Sequence, residues 1–274
     1  MIVTAKGSSS SGGEADFGCG SYKVLSTLVS VASDVRWNAR SFARRHPAIY
    51  MPLIAFSRRP YDGSYRRISG ATDILIDAYP RCANTFATFA FLSAQTGSVR
   101  VAHHFHAPAA VKAAARKGIP ILTIIRHPKD AVASALIYSD SRNVKRGLEE
   151  YIDYYRCVQE CRPKLFVARF EAVIHDFAHV TRCLNVRFGT TFGVFEATTQ
   201  AVDRVNLEIR RANERVWKRR STGEGRRNEQ LTLPVSERES RKVEVARMIL
   251  LPAHRTQLER AVVLYDELLR GADI

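Results

Sequence analysis

Three short apolar runs, each passing into a helical stretch, constrain this chain more than any other feature. They are Ile74-Leu75-Ile76, Ile121-Leu122-Thr123-Ile124-Ile125 and Leu165-Phe166-Val167-Ala168. Each is too short for a buried helix, and two run straight into turn signals, at Tyr79-Pro80 and Arg126-His127-Pro128. Such runs read as strands covered on both faces. Val99–Phe105 reads as a further strand. Helical patterns fill the intervals, over Thr85–Gln95, Pro108–Lys117, Lys129–Tyr138, Leu148–Cys161 and Phe177–Phe188. Strands alternating with helices of about 10–15 residues build βαβ units. The expected architecture is α/β, three layers, with a central parallel β-sheet and helices on both faces. Ligands in such folds sit beyond the carboxyl ends of the strands. The turns after Ile76 and Ile125 are therefore the places to look for chemistry.

Composition narrows the partners. A chain of 274 residues with 46% hydrophobic and 25% charged residues is globular rather than disordered. Lys and Arg number 42 against 27 Asp and Glu, a formal charge of +15, which points to an anionic partner. The five cysteines (Cys19, Cys82, Cys157, Cys161, Cys183) form no CxxC pair and cannot all be in disulfides. With no secretory pattern at the N-terminus, a reducing, cytoplasmic location is expected.

Residues 1–20, with the run Ser8-Ser9-Ser10-Ser11-Gly12-Gly13, read as a disordered tail, and residues 21–274 as one α/β domain. A basic amphipathic helix over about 22–43 either packs on that domain or lies on a membrane surface. Residues 57–70 read as a basic loop. Residues 210–227 carry eight Arg and Lys, interrupted by Ser221-Thr222-Gly223-Glu224-Gly225. Helices are expected from Ser236 to about Leu250 and from about Thr256 to Leu269.

The first turn is Tyr79-Pro80-Arg81-Cys82-Ala83-Asn84-Thr85-Phe86. It places a helix N-terminus after a buried strand, with unpaired N–H groups that suit a phosphate. Arg81 adds a forked cation, and Asn84 and Thr85 add donors. The GxxxxGK[ST] phosphate loop occurs nowhere, which weighs against an ordinary ATPase. The second turn, Arg126-His127-Pro128-Lys129-Asp130, ends the cleanest strand, and Ser134 follows within the next helix. Guanidinium and hydroxyl together can grip a second anion. Each turn also has a plain structural reading, as a helix cap in the first and as an ion pair in the second.

Taken in order, the two turns resemble the sulfotransferases that use 3′-phosphoadenosine 5′-phosphosulfate (PAPS). Tyr79 to Phe86 is similar to their YPKSGTTW loop, and Arg126 to Ser134 to their RNPKDxxxS motif, with the same Arg-to-Ser spacing of eight. Phe170-Glu171 sits where the family has RYEDL. The resemblance spans about residues 72–190 and implies a P-loop-like sulfotransferase domain with PAPS as donor and no required metal. It implies donor contacts from Arg81, Cys82, Ala83, Asn84, Thr85, Phe86, Arg126 and Ser134. Lys218, Arg219, Arg220 and Gly223 are its candidates for the late segment that closes on the 3′-phosphate. Here the loop Lys is Arg81, Ser-Gly is Cys82-Ala83, the first Thr is Asn84 and the Trp is Phe86. The acceptor is expected to be a hydroxyl, such as that of a glycan or glycolipid, reached through loops 40–70, 138–147 and 190–230.

Sulfuryl transfer needs a base for the acceptor proton, and His103-His104-Phe105-His106 lies between the motifs. His106-Ala107-Pro108 matches the family's His-x-Pro, while His104 has its commoner distance of 22 residues to the Arg. Strand alternation would put His104 and His106 on one face and His103 on the other. His106 is the first candidate for the base and His104 the second, with Arg81 as the catalytic cation. Two alternatives stay open: a nucleotide-dependent kinase, and a basic nucleic-acid-binding protein. No aromatic-interleaved basic motif supports the latter, so nucleic acid is not an expected partner.

Overall fold

The computed structural model describes residues 18–56, 68–220 and 236–274. The chain divides into two compact units, Met1–Phe42 and Ala43–Ile274. Helix α1 (Gly18–Arg45) begins in the first unit, where Val31, Val35 and Phe42 are exposed. Most of the expected N-terminal tail falls outside the described residues. So does most of the basic loop at 57–70.

The second unit holds the sheet. Its strands are β1 (Ile74–Asp77), β2 (Val101–His103), β3 (Ile121–Ile125) and β4 (Phe166–Arg169), in spatial order β2-β1-β3-β4, all parallel. Their side chains are buried except at Arg169, because helices cover both faces. The crossovers are α3 (Asn84–Ser93) and α4 (Pro108–Arg116), then α5 (Pro128–Ser139) with α6 (Val144–Glu160). The β1–β2 step and the β2–β3 step run in opposite directions across the sheet. Right-handed crossovers therefore send α3 and α4 to opposite faces. In agreement, α3 packs on α7 (Phe170–His175), α8 (Phe177–Phe188) and α9 (Thr199–Arg220). In turn, α4 packs on α6 and on α2 (Pro47–Phe56). Helix α10 (Ser236–Ile249) lies on α5, and α11 (Arg255–Arg270) on α6. Among the described residues, no helix is long and apolar enough to cross a membrane.

Local chemistry explains most boundaries. Pro108 and Pro128 start α4 and α5 at positions that need no N–H partner. Asn143 caps α6 by accepting from the Arg146 N–H at 3.0 Å, which starts that helix four residues before Leu148. Strand β2 is shorter than its apolar pattern, because His104 and His106 take left-handed backbone (φ 59° and 50°) and turn the chain away from the sheet. Much of the surface read as acceptor loops is helical. Residues 43–56 fall in α1 and α2 apart from His46, residues 144–147 open α6, and residues 199–220 are one long helix. Beyond β4, residues 273–274 continue the hydrogen bonding of the sheet. The Asp273 N–H donates to the Val167 carbonyl and the Arg169 N–H to the Ile274 carbonyl, each at 3.0 Å.

Candidate functional site

The two turns singled out in the sequence leave the sheet side by side. β1 and β3 are neighbours, in register at Asp77 and Thr123. Their following helices diverge, which opens a crevice at the carboxyl end of the sheet. In the first turn Arg81 and Ala83 both adopt left-handed backbone, φ 68° and 63°. Such conformations are costly for residues with a Cβ and cluster at functional sites. They bring the chain sharply into α3, whose first residues have no side-chain cap. An uncapped helix start leaves N–H groups for a ligand.

Arg81, Arg126 and Ser134 meet there. The Arg81 Nε donates to the Ser134 hydroxyl at 3.1 Å, and its guanidinium lies 5.1 Å from the Tyr138 ring centre. Arg126 donates to the Arg81 carbonyl at 3.0 Å and lies 4.2 Å over the Phe170 ring. Ser134 is 2% exposed. Helix α6 fixes the frame from behind. Tyr151, Tyr154 and Tyr155, at helical spacing on one face, are all buried. The Tyr151 hydroxyl donates to the Arg126 carbonyl at 2.8 Å, and that of Tyr155 to the Ile124 carbonyl at 2.7 Å. Tyr79 donates to the Gly147 carbonyl at 3.1 Å.

The histidines occupy the β2 side of the crevice. The left-handed turns bring the His104 and His106 rings together, 5.6 Å between centres, where strand alternation was the expected cause. His103 does not point away. Its ring centre is 4.7 Å from that of His104, and the two Nδ1 atoms are in hydrogen-bond contact. His104 Nε2 pairs with the Thr85 hydroxyl at 3.0 Å. His106 Nδ1 lies 2.8 Å from the Ala78 carbonyl, which can only accept, so Nδ1 carries a hydrogen. In neutral His106 the lone pair then sits on Nε2. Asn84 reaches the same ring, its Nδ2 3.3 Å from Nδ1, while its buried Oδ1 has no partner. Arg44 donates to the His106 carbonyl, and the Tyr50 hydroxyl to that of Phe105 at 3.2 Å.

Asp77 escaped the sequence analysis. It ends β1, is fully buried, and accepts the His106 N–H at 3.0 Å through Oδ1 and the Tyr154 hydroxyl at 3.3 Å through Oδ2. Its Oδ1 is 3.9 Å from His106 Nδ1. Burial pushes its carboxyl up to about 7, against the pull of those hydrogen bonds. The available signal was an acid closing an otherwise apolar strand, since an unpaired buried carboxylate is rare. Cys82 is buried, and desolvation raises its thiol to about 11. It fills the turn, 3.5 Å from the Tyr155 hydroxyl, as an inert small residue.

The remaining candidates separate. Phe86 packs edge-on against Phe177 and Phe195, each at 6.3 Å, on the α3 face. Lys218, Arg219 and Arg220 belong to α9, but their side chains lie outside the described residues, as does Gly223. Among the described residues no group of three or more His, Cys, Asp or Glu is arranged to hold a metal ion. Comparison of the chain with protein-family models and with curated proteins gives no match.

Proposed function

We propose that the protein is a PAPS-dependent sulfotransferase acting on an acceptor hydroxyl. The observation that carries this reading is the meeting of Arg81, Arg126 and Ser134, from two turns 45 residues apart, at one crevice of the sheet. Two forked cations, a buried hydroxyl and an uncapped helix start form a seat for a ligand with more than one anionic group. An incoming phosphate would replace the Arg81–Ser134 bond that spans that seat.

In the proposed reaction the acceptor oxygen attacks sulfur in line. The new S–O bond forms as the bond to the 5′-phosphate oxygen breaks, and adenosine 3′,5′-bisphosphate leaves. Arg81 and the α3 amides offset charge on the leaving phosphate, an electrostatic role that operates best in a water-poor site. His106 takes the acceptor proton at Nε2, with the Ala78 carbonyl holding the ring through Nδ1. Once ionised, above about pH 7, the adjacent Asp77 carboxylate, 3.9 Å away, favours the imidazolium that results. A glycan is the proposed acceptor class, an acidic one suiting the net charge of +15.

Calorimetric titration with adenosine 3′,5′-bisphosphate is the test. Arg126→Ala should weaken binding by about 10–100-fold, the worth of a charge-assisted contact. His106→Ala should bind the bisphosphate normally and lose about 10²–10⁴ in turnover of a sulfated donor. Unchanged affinity in Arg126→Ala would overturn the seat, and full turnover in His106→Ala would move the base elsewhere.

A further inference from the structure

The last turn of α1 reaches the histidine end of the crevice with a side chain that belongs to neither motif. Arg44 is 14% exposed at its side chain and spreads its fork over two partners. One nitrogen donates to the His106 carbonyl, and another lies 3.3 Å from the Glu150 carboxylate on α6. Arg45, next in the chain, pairs at 3.2 Å with Asp153, one turn along α6 from Glu150. The corner between α1 and α2 is thus pinned to α6 at two points. From α2, the Tyr50 hydroxyl donates to the Phe105 carbonyl, so two successive carbonyls of the histidine turn are held from this corner.

We propose that Arg44 is a positioning residue for the base: by tying the His106 carbonyl to Glu150 it holds the left-handed turn that presents the His106 ring to the crevice. The role rests on the sulfuryl-transfer reading, in which that ring takes the acceptor proton. His106 has φ 50°, a conformation that a residue with a Cβ keeps only where its surroundings over-determine it. Its N–H bonds to Asp77 Oδ1 and its Nδ1 to the Ala78 carbonyl, both at the end of β1. The His106 carbonyl is the remaining end of the peptide, and Arg44 fastens it. A planar guanidinium suits this task, because one rigid group serves two acceptors at a fixed angle, which the point charge of an ammonium does not.

The same cation bears on Asp77. That carboxyl faces the Tyr154 hydroxyl from α6, His106 from the turn after β2, and Arg44 from α1, with Glu150 beyond the guanidinium and the other two histidines beyond His106. Burial raises it, and the Arg44 charge opposes the rise. Loss of the cation would keep Asp77 neutral to higher pH and delay the help its carboxylate gives to the imidazolium. A side chain that merely packed would leave this titration where it stands.

Arg44→Met keeps the bulk of the side chain and removes the fork, and the full chain provides the test. In hydrolysis of PAPS, with water standing in for the acceptor, kcat should fall about 10–100-fold, the cost of a misplaced catalytic group, with KM within about twofold. Amide exchange at His106 should quicken about tenfold or more as the turn loosens. The Asp77 carboxyl, followed by carbon NMR and assigned by the loss of its signal in Asp77→Asn, should titrate at a higher pH than its native value of about 7. Arg44→Lys should return that titration toward the native one and recover only part of the rate. Arg45→Ala, which removes the neighbouring bridge to Asp153, should leave rate, exchange and titration near native. Unchanged exchange and titration in Arg44→Met would overturn the proposal, and so would an equal loss of rate in Arg45→Ala. Should the native chain not hydrolyse PAPS, the sulfotransferase reading is what fails, and exchange and titration still decide whether Arg44 holds the turn.

Discussion

At the scale of single residues, Asp77 and His106 concentrate the energetic tension of the molecule. A carboxyl raised to about 7 by burial is mostly neutral in the folded chain at mildly acid pH, where the unfolded chain, near 3.8, has already lost its proton. The folded state thus binds the proton more tightly. Stability contributed by the neutral acid is full at low pH, falls as pH rises from about 4 to about 7, and is level above. Asp77→Asn keeps an oxygen for the His106 N–H and removes the buried charge. Its melting temperature should exceed that of the unsubstituted protein at pH 8, with the gain shrinking toward pH 5. An equal gain at both pH values would show that desolvation of Asp77 is not the cause. The sequence made His106 visible through its neighbour Pro108. It hid Asp77, because a residue completing Ile74-Leu75-Ile76 is read by its strand and its partner Tyr154 lies 77 residues away.

At the scale of elements, apolar patterning made β1, β3, β4 and most helices legible within a few residues, since each buries a complete face. Where side-chain bonds or backbone handedness decide the boundary, patterning failed: β2 ends at His103, and α6 begins at an Asn143 cap. The three α6 tyrosines were likewise hidden, because their spacing marks only a core face, while their hydroxyls hold the ends of β1 and β3. The joint after α3 shows how tightly elements can meet. The Gln95 amide donates to the Gly193 carbonyl at 3.2 Å and its oxygen accepts the Gly193 N–H at 2.9 Å. A Cβ at Gly193 would lie 2.1 Å from the Ala94 carbonyl oxygen. Backbone cannot yield as a side chain can, so Gly193→Ala should cost roughly 2–3 kcal/mol in chemical denaturation. A loss below about 0.5 kcal/mol, the range of ordinary surface changes, would mean that the joint relaxes freely.

At the scale of the whole molecule, the +15 charge and the crevice point to the same class of ligand. A ligand that binds only the folded state stabilises it by mass action, about 2.7 kcal/mol at a hundred times its Kd. For a chain of this size that is roughly 5–10 °C. Adenosine 3′,5′-bisphosphate should produce such a shift, and ATP at the same concentration a smaller one. The reverse order would favour a kinase. The shift should decline as salt is added, because ions screen the cationic seat. Charge was legible from composition, and the two anchor turns from their motifs. Their convergence was legible only through the family resemblance, since it depends on strand order, which local sequence does not encode.

The pairing of residues 273–274 with β4 has a practical corollary. A parallel sheet whose outer strand is already hydrogen-bonded to residues 273–274 offers fewer open amides there for a foreign strand to copy. A substitution that draws residues 273–274 off that rim would uncover those amides and leave the outer strand open to a foreign one.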